Sequence, residues 1–183
     1  MTDHGVALVA RALAAATGPA FHPTTRRPAR PVDGPDLPAS LRHWLAHDTT
    51  LFDPDLPPAP RLPLGDLVQQ ELGEPWGELF GPLSARFAAC VLLPGGTDSR
   101  RVLALGRPDE AGESPVLAID CDDLPFIGLM YPGFDVYAAV ACGVLRTTPD
   151  GYLWPAGDRA YGPRARFHAE ASLGGSTSLR FPF

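Results

Sequence analysis

The run from Pro115 to Leu145, PVLAIDCDDLPFIGLMYPGFDVYAAVACGVL, leaves the chain fewer folding choices than any other stretch. Val116 to Ile119 is short and β-rich, the acidic group Asp120, Asp122 and Asp123 follows it, and a second apolar run extends from Phe126 to Tyr131. This pattern predicts two strands joined by an acidic turn. Pro132 and Gly133 break the second strand. Phe134, Tyr137, Ala138, Ala141, Val144 and Leu145 then recur at the spacing of a helix with one buried face.

Upstream, Phe87 to Leu93 and Arg101 to Gly106 read as two further strands around a Gly- and Asp-rich turn, Pro94 to Arg100. An acidic loop, Arg107 to Ser114, carries Asp109, Glu110 and Glu113 into the central run. The simplest topology is an α+β domain: an antiparallel meander of about four or more strands with helices packed on one face.

Those helices are foreshadowed in the first half of the chain. Val6, Val9, Ala10 and Leu13 share one face of a helix that Thr2 or Asp3 can cap and that Gly18 and Pro19 end, predicted to lie at the domain edge. Pro38 suits a first helical position, and Leu41, Trp44 and Leu45 form the stripe behind it. Asp66 and Gln69 have the spacing of a capping box for a short helix bearing Leu67, Val68 and Leu72, stopped by Gly73 and Pro75. Trp76, Leu79 and Phe80 follow as an apolar cluster, either a core lid or a docking anchor. After Leu145 the pattern loses its period. Tyr152 to Trp154 can add an edge strand, and Arg164, Arg166 and His168 read as solvated positions in a loop or strand.

Of the 22 prolines, half lie between Pro19 and Pro63, which predicts extended segments and turns around the Pro38 helix. Arg26, Arg27 and Arg30 sit in that linker-like stretch as a solvated connection or as a patch for an acidic partner. A net charge of −6 gives little with which to neutralise phosphates, so nucleic acid is not the expected direct partner, whereas a basic protein is. All 15 basic residues are arginine. Without lysine there is no Walker-type phosphate loop, no Schiff base and no Ser-Lys dyad. Cys90, Cys121 and Cys142 are scattered in apolar surroundings with no CxxC pair and read as reduced thiols of a cytoplasmic protein. The first residues are acidic and Arg11 interrupts the apolar run, unlike a secretory leader, and no stretch has the length and apolarity of a membrane span.

Signals for catalysis are sparse. No GxSxG nucleophile turn is present, and Gly95-Gly96 and Gly174-Gly175 lack dinucleotide-site spacing. His43 and His47 share a helix face, but without an HExxH glutamate or a motif-placed third ligand no metal is assigned. Asp120, Asp122 and Asp123 admit turn hydrogen bonding, partner contact, or a cation or general-base role. No cofactor and no catalytic residue is expected.

The segment "PVLAIDCDDLPFIG…YPGFDVYAA" resembles the C-terminal half of the SUKH superfamily, the Smi/Knr-type domain. LPASLRHWL at Leu37 to Leu45, followed by Leu51, Phe52 and Asp53, is similar to the opening motif of that family. The proline-rich insertion after the first of these helices and the sequence beyond Leu145 depart from its pattern. The resemblance implies an α+β core over residues 37–145, preceded by a helix and Pro-rich segment (1–36) and followed by an extension packed on the core (146–183). It implies a non-enzymatic immunity protein that occludes a cognate bacterial toxin. A regulatory or structural scaffold is the alternative, and a small-ligand or metal enzyme is a further one. The expected partner face is Asp109, Glu110, Glu113, Asp120, Asp122 and Asp123. The expected core comprises Leu41, Trp44, Leu45, Val116, Ile119, Phe126, Phe134 and Tyr137.

Overall fold

In the computed structural model, described here for residues 4–15, 37–47, 61–87, 89–93, 99–121, 125–146, 154 and 158–183, each strand pairs with the next in sequence. The strands β1 (Ala89–Leu93), β2 (Arg100–Leu105), β3 (Val116–Asp120), β4 (Phe126–Tyr131) and β5 (Ser178–Arg180) form one antiparallel sheet in that order. The helices are α1 (His4–Ala15), α2 (Ala39–His47), α3 (Leu64–Leu72), α4 (Glu74–Phe80), α5 (Phe134–Ala141) and α6 (Gly162–Leu173), with a 3-10 turn over Gly81–Arg86. The class is α+β, as the strand and helix periods predicted.

The layering differs from the expectation of helices on one face. Along β1 and β2, Cys90, Val102 and Ala104 join Leu64, Leu67, Val68, Phe80 and Leu83 of the α3–α4 region. Their alternate neighbours Val91, Leu93, Leu103 and Leu105 join Val9, Ala12, Leu41, Trp44, Phe134 and Tyr137 of α1, α2 and α5. Helices therefore cover both faces. The sequence already carries the reason: VLAL and VLAI are unbroken apolar runs rather than alternating ones, and both sides of such strands need cover.

Each helix is bounded by local chemistry, with some corrections. The helix α3 begins straight after Pro63, and no side chain caps it. Asp66 falls inside the first turn, where its charge favours the helix dipole, so the expected capping box is absent. The buried stripe of α1 is Gly5, Leu8, Val9 and Ala12; Val6 and Leu13 are half-buried and Ala10 is exposed, a face rotated from the expected one. Its docking against α2 and α5 sets that stripe. Thr2, Asp3 and the Pro19–Pro35 segment lie outside the described residues. The α5 helix stops at Ala141, because Gly143 turns left-handed (φ 72°) and Val144 and Leu145 both bond back to the Ala139 carbonyl. Arg164, Arg166 and His168, expected in a loop or strand, lie on α6, which starts with Pro163 in its first turn and ends at the left-handed Gly174 (φ 66°).

The sheet edges are closed locally. Leu62 exchanges both backbone hydrogen bonds with Cys90 (3.1 and 2.7 Å), covering the outer side of β1 there. On β5, the Ser176 hydroxyl donates to the Ser178 carbonyl (2.5 Å) and accepts from its N–H (3.3 Å), so one outward pair is satisfied within the chain. Of the expected Tyr152–Trp154 edge strand only Trp154 is described; its N–H donates to the Leu129 carbonyl (3.0 Å).

Glycine decides how closely α3 and α4 approach. A Cβ at Gly77 would lie 2.5 Å from the Gln69 Cβ and 3.1 Å from the Gly65 carbonyl oxygen, so backbone must move to admit it. Gly77→Ala is expected to destabilise the fold by about 1–3 kcal/mol, the overpacking cost exceeding the ~1 kcal/mol gain in helix propensity. Thermal unfolding checks this, and a stabilised variant would contradict the packing described.

Candidate functional site

Among the described residues, one set of ionisable side chains is gathered in the interior, and four separate segments supply it. The β2–β3 loop folds around Asp109: its Oδ1 accepts from the backbone N–H groups of Ala111 (2.8 Å) and Glu113 (3.0 Å). The Asp109 N–H donates to the Glu113 carbonyl (3.0 Å), and Gly112 supplies the left-handed turn (φ 76°). This closure turns Glu113 inward. The α5 helix adds Asp135 in its first turn, α6 adds Arg164 and, one turn later on the same face, His168, and α2 adds Ser40.

Arg164 is the centre. Its Nε donates to Asp109 Oδ2 (2.5 Å), while Nη1 and Nη2 donate to the two oxygens of Asp135 (2.9 and 3.0 Å). One planar guanidinium thus serves two carboxylates, the second bidentately. His168 Nε2 lies 3.3 Å from the same Asp109 oxygen, and Ser40 Oγ donates to Glu113 Oε2 at 2.6 Å. Gly133 permits this crowding. A Cβ there would collide with Arg164 Nη2, Asp135 Oδ1 and the Glu113 Cβ.

The electrostatics follow from one cation among three acids. Burial alone would raise the Asp109 carboxyl, but His168, the Arg164 charge and the Glu113 N–H outweigh it and hold Asp109 at about 2. Glu113 goes the other way. Burial first, then the Asp135 charge, push it up to about 8 against the lowering influence of Ser40 and Arg164. Burial disfavours the Arg164 charge, yet Asp135 and Asp109 raise its pKa and keep it protonated.

The chemistry open to the cluster is limited by access. The side chains of Asp135 and His168 are 0% exposed, that of Asp109 2% and that of Arg164 15%, so a substrate has no way to reach the acids. Ser40 is committed to Glu113, and His168 Nδ1 has no hydrogen-bond partner among the described residues. No serine–histidine hydrogen bond of the nucleophilic kind is therefore made here. Among the described residues, no group of three His, Cys, Asp or Glu could hold a metal ion. His43 is half-buried on α2; His47 ends that helix.

The expected partner face is divided between interior and surface. Asp109 and Glu113 are buried and bonded inward, which removes them as outward contacts: the loop closes on its own Asp109, and Arg164 and Ser40 hold the carboxylates. Glu110 is exposed, Asp120 is half-buried at the end of β3, and Asp122 and Asp123 lie outside the described residues. Of the expected core, Leu41, Trp44, Val116, Ile119, Phe134 and Tyr137 are buried and Leu45 is half-buried. Phe126 is also only half-buried, with the Arg180 guanidinium 5.7 Å from its ring centre. Ser40, Asp135, Arg164 and His168 were not singled out as site residues from sequence. A signal for the last two existed: Pro163, ten helix-tolerant residues and Gly174 are the start and stop of a helix that puts positions 164 and 168 on one face.

No described helix is long and apolar enough to cross a membrane. Compared with protein-family models, with curated proteins and with solved structures, the chain finds no match.

Proposed function

We propose that this chain is a non-enzymatic protein-binding domain of the SUKH type, a cytoplasmic immunity protein that neutralises a cognate bacterial toxin by occlusion. The observation that carries this reading is the burial of the charge cluster: its cation and acids are closed off from solvent and bonded to one another, holding α2, α5, α6 and the β2–β3 loop together. The passage of β3 and β4 through Pro132-Gly133 into a helix bearing Phe134 and Tyr137 is the order that the resemblance implies. Net charge is −6, and exposed acids are grouped on the α3–α4 pair: Asp66, Glu74 and Glu78, with Glu71 beside Arg100 at 3.7 Å. Such a surface suits a basic protein through complementary steering. These exposed acids support a docking face on α3–α4 instead of the β2–β3 loop.

Co-expression with the basic catalytic domain of a toxin encoded beside this chain tests the reading. Growth should be restored and the two proteins should co-elute as a stable complex. Failure of both would reject the immunity role. Within a complex, Glu74→Arg combined with Glu78→Arg is expected to weaken binding by about tenfold or more with the cooperative thermal transition retained; unaltered affinity would move the docking face elsewhere.

A further inference from the structure

Glu113 occupies an unusual position in the buried cluster. A Cβ at Gly5 would lie 2.5 Å from Glu113 Oε1, 3.3 Å from its Cδ and 3.5 Å from the Asp135 Cβ, so the first turn of α1 rests directly on the carboxyl group. Glu113 is 0% exposed, and its Oε1 has no hydrogen-bond partner among the described residues. The other oxygen accepts from the Ser40 hydroxyl of α2. Charged neighbours act from the remaining sides: Asp135 from α5, Asp109 from its own loop and Arg164 from α6, with His168 of α6 beyond, against Asp109. His4, next to Gly5 on α1, is exposed. Arg164 already donates to Asp109 and Asp135, so a third anion at position 113 would have no cation of its own among the described residues.

We propose that Glu113 is the catch of a proton-operated latch: α1 stays seated on α2 and α5 while this carboxyl carries its proton, and lifts away when the proton is lost. Lifting α1 breaks the packing of Val9 and Ala12 on α2 and α5, and it is the move that uncovers Glu113 directly. The α6 helix is tied down by Arg164 through two carboxylates, whereas α1 meets Glu113 through the Gly5 backbone, with no side chain between, and its departure admits water to the buried oxygen.

The direction follows from the raised pKa. In water the carboxyl titrates at 4.5, and in the closed fold burial and then Asp135 place it at about 8. Seating is therefore complete below 4.5, weakens as pH rises above it, and its loss levels off once the folded value near 8 is passed. Over that window the ratio of lifted to seated α1 should rise roughly tenfold per pH unit, as one proton is released. Asp109, held near 2, keeps its charge throughout.

Hydrogen exchange between pH 6 and 9, corrected for intrinsic rates, tests the latch. Protection of α1 amides should fall roughly tenfold per unit until it levels near pH 8, while β3 amides keep theirs. Glu113→Gln, neutral at every pH, should flatten the α1 profile. Ser40→Ala removes a donor that favours the ionised form, so the levelling point should move to higher pH; this second variant serves even if the first fails to fold. An undiminished slope in Glu113→Gln, parallel loss in α1 and β3, or an unmoved levelling point in Ser40→Ala would each overturn the proposal.

Discussion

Replacing Arg164 with leucine is expected to cost about 3–5 kcal/mol of folding stability, read as a lowered urea midpoint at pH 7. The magnitude comes from what the substitution leaves behind. Asp135 is 0% and Asp109 2% exposed at the side chain, and both would lose their cation while remaining buried. Lysine should recover only a minor part, because a single ammonium cannot meet Asp109 along one edge and both oxygens of Asp135 along another. Adding Asp135→Asn to Arg164→Leu should return stability relative to the single variant, since the penalty lies in the abandoned charge. Acid sensitivity should change as well. Asp109 sits at about 2 in the fold against an ordinary 3.8, so it contributes stability that is present above 3.8 and lost as pH falls through 2. Without Arg164 that depression shrinks and the acid limb flattens. A loss below about 1 kcal/mol in Arg164→Leu, the value typical of an exposed pair, would show that the cluster is wetter and looser than these distances imply.

The sheet was legible in the sequence and the cluster was not, for physical reasons visible in particular residues. Strand periodicity is local. Val116 to Ile119 and Phe126 to Tyr131 announce themselves, and β4 matches the expected span while β3 extends one residue further, to Asp120. The direction of a charged side chain is not local. Asp109, Glu110 and Glu113 lie within five residues of sequence, yet only Glu110 faces water, because the inward turn of the other two depends on Arg164 of α6 and Ser40 of α2. The separations are 55 and 73 residues, beyond the reach of any spacing rule. An acidic loop thus reads as a surface until the cation that draws it inward is placed. The helix α6 itself was recoverable from Pro163 and Gly174, and recognising it would have put Arg164 and His168 on one face.

Both helical layers should prove to be core, and paired substitutions on opposite faces of the sheet test that. Phe134→Ala is expected to cost about 3–5 kcal/mol, because the ring is fully buried and a cavity replaces it. The ring meets Trp44 of α2 edge-on, with centroids 6.1 Å apart and planes at 77°, and Tyr137 at 5.8 Å. Trp44→Leu and Phe134→Leu, singly and together, should give a coupling of about 0.5–1.5 kcal/mol for that aromatic pair. On the other face Phe80 is equally buried and packs against Phe183 with centroids 4.9 Å apart and planes tilted by 46°, and Phe80→Ala should cost a similar ~3–5 kcal/mol. Comparable losses are what a sheet with two covered faces requires. If Phe134→Ala cost less than about 1 kcal/mol while Phe80→Ala cost the full amount, α1, α2 and α5 would be a loosely held layer over a sheet stabilised from one side, and the argument for a buried Glu113 beneath α1 would fall with it.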